Sequence, residues 1–153
     1  DIIGLYRDAP EDEAGLRESM RYVESLIARE IERGIAPSHI VLAGFSQGGN
    51  VALNCALRYP EALAGALILS SYLGLAEQLA AQASAANRTL PIFMAHGRQD
   101  EIVPLALAEA SRDTLVTLGY AVSWHAYPMA HTVCAAEVTD IGQWLGEVLA
   151  DLS

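Results

Sequence analysis

Apolar residues recur at three- and four-residue steps early in the chain and form unbroken short runs further along it. The first pattern predicts an amphipathic helix over residues 11–33, which Gly34 and Pro37 end. Unbroken apolar runs are typical of strands that are covered on both faces of a sheet. They predict strands at residues 40–45, 64–70, 91–96 and 121–127, with helices between or after them at 49–57, 105–118 and 137–149 and a short helix within 72–88.

This alternation of strands and helices predicts an α/β fold with a mostly parallel sheet flanked by helices. Parallel neighbours need crossover connections, and each helix here is long enough to provide one. No repeat, low-complexity linker or change in composition divides the chain, so residues 1–153 are expected to form a single domain. In such sheets the ligand site forms beyond the carboxyl ends of the strands.

The composition excludes several classes of partner. A formal net charge of −10 would repel nucleic acids and anionic membranes. No apolar stretch approaches the length of a membrane span, and a cytoplasmic location is the default expectation. Cys55 and Cys134 show no metal-ligand spacing, so we expect two free thiols and no metal site.

The segment from Gly44 to Gly48 carries the strongest chemical signal. It reads Gly-Phe-Ser-Gln-Gly and joins the strand at 40–45 to the following helix, so Ser46 should occupy a tight, strained turn. We expect the Ser46 side chain to crowd both glycine positions, and the backbone N–H of Gln47 to point at a developing oxyanion. The alternative is an ordinary Gly-Ser loop, and the strand-turn-helix context favours catalysis.

Asp100 and His131 each follow a predicted strand at the same edge of the sheet. A serine hydroxyl needs a base such as an imidazole, and the imidazole needs a carboxylate to hold its tautomer. The chain order Ser, Asp, His is the order typical of such a turn in a parallel sheet. Ser46 is therefore the predicted nucleophile, His131 the base and Asp100 the acid.

Other histidines and aspartates are weaker candidates. His39 precedes its strand, and His125 alternates with its neighbours within one. His96 ends a strand beside a glycine, where a structural role is favoured. Asp113 and Asp140 lie in predicted helices, where a solvated carboxylate is the ordinary explanation.

Four motifs together resemble the bacterial carboxylesterase/acyl-protein thioesterase (phospholipase/carboxylesterase) family. They are AGFSQGG at 43–49, the HG…D…V turn at 96–103, YPMAH at 127–131 and DIGQWL at 140–145. The resemblance implies an α/β-hydrolase fold and a serine hydrolase of carboxylic esters that acts through an acyl-enzyme without a cofactor. Thioesters and lysophospholipids are further candidate substrates of the family. It assigns the nucleophile to Ser46, the acid to Asp100, the base to His131 and one oxyanion N–H to Gln47.

One departure from the family concerns the start of the chain. Family members carry early strands and a His-Gly-Leu-Gly type loop that supplies the second oxyanion N–H, and nothing similar precedes residues 1–4. The chain thus resembles the C-terminal portion of the fold. The strand at 40–45 should then expose an edge that pairs with an N-terminal segment or a second chain. Two alternatives stay open: a weakly active fragment or interaction module, and a dienelactone-hydrolase-like enzyme, although those relatives usually have cysteine where Ser46 stands.

Five residues near the triad are candidates for an acyl or alcohol pocket. Each is apolar or aromatic, and for each of them core packing is an equally good interpretation. They are Phe45, Tyr72, Leu73, Val103 and Met129.

Overall fold

The computed structural model describes residues 12–150. Its first helix, α1, spans Glu13–Glu32. The predicted start at Glu11 lies outside the described residues. Asp12 caps the helix, because its side chain accepts the backbone N–H of Gly15 at 2.9 Å. Gly34, with a φ of 97°, follows the last turn, as the sequence predicts.

Four parallel strands form one sheet in chain order. They are β1 (Val41–Phe45), β2 (Gly65–Leu69), β3 (Ile92–Gly97) and β4 (Val122–Tyr127). The register pairs Phe45 with Leu69 and Gly97 with Tyr127, so the carboxyl ends of all four strands meet at one edge. The predicted α/β class with a parallel sheet is confirmed.

The remaining helices are α2 (Gln47–Arg58), α3 (Ala76–Gln82), α4 (Leu105–Thr117) and α5 (Ala135–Val148), with 3₁₀ turns at Pro37–His39 and Ala85–Asn87. Both α2 and α5 begin two residues earlier than predicted. Apolar periodicity indicates the buried face of a helix but not the residue at which the helix begins. In α5 the helix begins at Ala135, because the backbone of Cys134 is extended.

Helices pack on both faces of the sheet and form two cores. On one face, side chains of α1 to α4 meet alternate positions of the strands, including Leu53, Leu57 and Ile68. On the other face, Trp144 of α5 packs against Phe93 and Leu67. Cys55 lies in the first core, where burial raises the pKa of its thiol to about 12.

Strand β1 is an edge of the sheet and has no second neighbour among the described residues. A groove of about 710 Å³ runs beside it, between α1 and the start of α2. Its apolar lining includes Tyr22, Val23, Leu26, Val41, Ala43 and Val51. The uncovered edge expected for this strand is therefore present within residues 12–150.

No helix within residues 12–150 is long and apolar enough to cross a membrane.

Candidate active site

Ser46 occupies the single residue between β1 and α2. Its backbone has φ 56° and ψ −125°, in the left-handed range of φ that residues with a Cβ rarely adopt. A serine in this conformation at the end of a parallel strand is the arrangement expected of an exposed nucleophile.

The two glycines that flank this turn have different roles. A Cβ on Gly44 would collide with the backbone of Gly48, because the strand and the start of α2 approach closely there. A Cβ on Gly48 would meet nothing within 4 Å. The prediction that the Ser46 side chain crowds both positions is therefore wrong. Glycine is required only at residue 44, and the atoms that require it belong to the backbone of Gly48 and Gly49.

The backbone of Ser46 is held on both sides by residues at the end of β2. Its N–H donates to the carbonyl of Leu69 at 2.9 Å. Its carbonyl accepts the hydroxyl of Ser71 at 2.5 Å. The same carbonyl also accepts the N–H groups of Gly49 at 3.0 Å and Asn50 at 3.4 Å from α2. Ser71 is not singled out by the sequence, because this contact joins segments that are 25 residues apart.

His131 lies between Ser46 and Asp100. Its Nε2 is 3.1 Å from Ser46 Oγ, and its Nδ1 is 2.7 Å from Asp100 Oδ2. The carboxylate accepts a hydrogen bond from Nδ1–H, so Nε2 carries no proton and can accept a hydrogen bond from the serine hydroxyl. The structure thus brings together the three residues singled out from the sequence, each beyond the carboxyl end of a different strand.

The carboxylate of Asp100 is buried and fully engaged. Its Oδ1 accepts the backbone N–H groups of Ile102 at 2.9 Å and Val103 at 2.8 Å, while Oδ2 faces His131. These two backbone donors fix the direction in which the carboxylate points. The carboxylate is therefore held in a fixed position from which it can orient the His131 imidazole.

The other histidines are held away from Ser46. His96 is buried, and its Nε2 donates to the carbonyl of Val103 at 2.7 Å, so it closes the turn that carries Asp100. His125 stacks on Phe93 with ring centroids 4.6 Å apart, and His39 lies in the 3₁₀ turn before β1. Of the helical carboxylates, Asp140 is not simply solvated, because it accepts the hydroxyl of Tyr127 at 2.6 Å.

The backbone N–H of Gln47 has no partner among the described residues. Gln47 is the first residue of α2, where helical N–H groups lack an intrahelical acceptor and the helix dipole favours negative charge. Its position directly after Ser46 suits it to receive an oxyanion.

The predicted pocket residues differ in exposure. Val103 is fully buried, and Leu73 and Met129 belong to the two cores, which favours packing for these three. Phe45 is 39% exposed, with its ring centroid 4.8 Å from that of His131. Tyr72 is partly exposed. A pocket role stays a prediction for Phe45 and Tyr72.

Glu137 in the first turn of α5 is a buried carboxyl that sequence reasoning missed. Neither carboxyl oxygen has a hydrogen-bond partner within residues 12–150. Burial raises the pKa of this group to about 7. Glu137 lies seven residues before Trp144, so both side chains are on the sheet-facing side of the helix. The sequence alone could have indicated this side of the helix, but not the burial of the carboxyl group.

Comparison with known proteins finds long matches. A family model described as phospholipase/carboxylesterase matches residues 1–149. Acyl-protein thioesterase 1 of Gibberella zeae is 40% identical over 152 residues, covering 97% of this chain and 64% of that protein. The corresponding values for acyl-protein thioesterase 1 of Neurospora crassa are 42% over 142 residues, 91% and 58%. The chain therefore spans about three fifths of the length of these curated relatives.

Solved structures show the same fold. SOBER1 of Arabidopsis thaliana superposes with a TM-score of 0.87 at 29% identity, covering 92% of this chain and 68% of that one. Acyl-protein thioesterase 2 of Zea mays gives a TM-score of 0.79 at 28% identity, covering 94% and 68%.

Proposed function

Because the chain belongs to the phospholipase/carboxylesterase family, we propose that it contributes the catalytic triad of a serine hydrolase that cleaves carboxylic esters or thioesters. The observation that carries the proposal is the position of His131, within hydrogen-bond distance of both Ser46 Oγ and Asp100 Oδ2. The names of the relatives support an acyl thioester as a substrate beside an oxygen ester.

In the acylation step, Ser46 Oγ attacks the acyl carbon while His131 Nε2 takes the hydroxyl proton. The carbonyl electrons move to oxygen, and the Gln47 N–H donates to that oxyanion. When the carbonyl re-forms, the bond to the alcohol or thiol breaks, and His131 returns the proton to the leaving group. Asp100 stabilises the imidazolium in between.

In the deacylation step, water takes the place of the leaving group. His131 removes a proton from the water, the hydroxide oxygen bonds to the acyl carbon, and Ser46 Oγ leaves with the proton from His131. The products are a carboxylic acid and the original enzyme. Neither step requires a redox cofactor or a metal.

The proposal is tested by labelling and turnover. A fluorophosphonate should add to Ser46, and the chain should hydrolyse a p-nitrophenyl ester and an S-acyl thioester. Ser46→Ala should abolish labelling and lower turnover by several orders of magnitude. The matched control is Ser25→Ala on the exposed side of α1, which should change neither.

Other results would point to the competing interpretations. Labelling that persists in Ser46→Ala would remove Ser46 as the nucleophile. Labelling of Ser46 without turnover would indicate a non-catalytic or incomplete module. Preferential hydrolysis of a lactone over open-chain esters would favour the dienelactone-hydrolase alternative.

A further inference from the structure

The hydroxyl of Ser71 contacts the backbone of the turn that carries Ser46. Ser71 is only 2% exposed, and its Oγ donates to the carbonyl oxygen of Ser46 at 2.5 Å. This approach depends on Gly49, because a Cβ at residue 49 would lie 2.5 Å from Ser71 Cβ and 2.7 Å from its Oγ. The contact therefore depends on a specific fit between the end of β2 and the first turn of α2.

The carbonyl that Ser71 contacts belongs to the same peptide group as the proposed oxyanion donor. The peptide bond between Ser46 and Gln47 is planar, so the carbonyl of Ser46 and the N–H of Gln47 point in opposite directions within one rigid unit. A hydrogen bond that fixes the carbonyl also fixes the direction of the N–H.

This peptide follows a strained residue and needs external support. A non-glycine residue in a sparsely populated region of φ and ψ is strained and persists only where its surroundings hold it. The hydrogen bond from Ser46 N–H to Leu69 secures the preceding peptide. The following peptide is held by the short hydrogen bond from the Ser71 hydroxyl and by the helical N–H groups of Gly49, at 3.0 Å, and Asn50, at 3.4 Å. Hydrogen bonds in a chain also polarise one another, so a donor on the Ser46 carbonyl strengthens the Gln47 N–H as a donor.

We propose that Ser71 is a positioning residue that aims the Gln47 N–H at the oxyanion and strengthens it, acting through the Ser46–Gln47 peptide. The inference rests on the proposed function, because the oxyanion exists only if Ser46 attacks a carbonyl. A serine that served only to stabilise the fold would affect the free energy of unfolding but not oxyanion binding in the folded protein.

The kinetic test compares Ser71→Ala with the wild type, at a temperature where both are folded. The variant should lower kcat about tenfold with KM unchanged, as expected for the loss of one hydrogen bond that acts in the transition state. A trifluoromethyl ketone, whose carbonyl carbon bonds to Ser46 Oγ while its oxygen becomes an oxyanion, should lose affinity by the same factor. Ser25→Ala removes a hydroxyl-to-carbonyl hydrogen bond of similar length, 2.6 Å to Tyr22, and should change neither quantity.

Nuclear magnetic resonance provides a readout that needs no turnover. In Ser71→Ala the carbonyl ¹³C of Ser46 and the amide proton of Gln47 should both move upfield, and Ser71→Cys, with a weaker donor, should give intermediate shifts. Unmoved resonances, or a lower kcat with full affinity for the ketone, would overturn the inference. If Ser46 of the wild type is not labelled, the proposed function fails, and the resonances alone then decide whether Ser71 orients the Gln47 N–H.

Discussion

Glu137 shows how burial alone can change the behaviour of a residue. Its carboxyl group is enclosed without a hydrogen-bond partner among the described residues, so the charged form is poorly solvated and the pKa rises to about 7. The folded protein therefore holds a proton that the unfolded chain, with an ordinary glutamate pKa of 4.5, has already released. The free energy of unfolding should decrease as pH rises from about 4.5 to about 7 and then level off.

Glu137→Gln should remove this contribution, because an amide does not titrate. The melting temperature of the variant should exceed that of the wild type by a few degrees at pH 8, and the difference should shrink towards pH 4.5. The matched control is Glu32→Gln, which makes the same change at the exposed end of α1. A constant difference between Glu137→Gln and wild type over this range would contradict a raised pKa in the folded state.

At the scale of elements, the junction of β1 and α2 positions the nucleophile. The strand and the helix approach so closely that residue 44 has no space for a side chain, while residue 48 faces open space. The two glycines of the Gly-Phe-Ser-Gln-Gly segment look equivalent in the sequence and are not equivalent in the structure.

Gly44→Ala and Gly48→Ala should therefore have opposite effects. Gly44→Ala places a methyl group against the backbone of α2, and we expect a loss of about 1–3 kcal/mol in the free energy of unfolding together with slower labelling of Ser46. Gly48→Ala adds a helix-favouring residue in a free position and should raise stability by up to about 1 kcal/mol. Thermal unfolding and fluorophosphonate labelling rates measure both effects, and equal losses in the two variants would refute the distinction.

At the scale of the whole molecule, β1 has no neighbouring strand on one side among residues 12–150. An apolar strand with unpaired backbone groups tends to pair with another strand, and the groove beside it adds exposed apolar surface. A second oxyanion donor has not been assigned within residues 12–150, and the loss of one such donor typically lowers the rate on the order of a hundred- to a thousandfold. We propose that an N-terminal segment or a second chain pairs with this edge and supplies a second donor.

These 153 residues alone should therefore be poorly active and should self-associate with increasing concentration. Ala43→Lys, which places a charge on the exposed edge of β1, should reduce association in sedimentation velocity, whereas Val116→Lys on exposed α4 should not. If an N-terminal segment supplies the second donor, a longer form that includes it should hydrolyse the p-nitrophenyl ester faster. If the 153-residue chain is monomeric and as active as full-length relatives, this expectation is wrong.

The sequence by itself determined the order and type of the elements and the candidate residues Ser46, Asp100 and His131. This was possible because these signals are local: apolar runs, helical periodicity, and a polar residue just after a strand. The parallel arrangement then follows from the alternation, since it brings the carboxyl ends of strands to one edge.

Only the tertiary structure decided what depends on contacts between distant segments. The hydrogen bond from Ser71 to the Ser46 carbonyl joins the ends of two strands that are 25 residues apart in the chain. The unequal roles of Gly44 and Gly48 depend on how closely β1 approaches α2. The buried Glu137 carboxyl likewise depends on the packing of α5 against the sheet. Distances and burial of this kind are set by packing in three dimensions, which periodicity and spacing along one chain do not encode residue by residue.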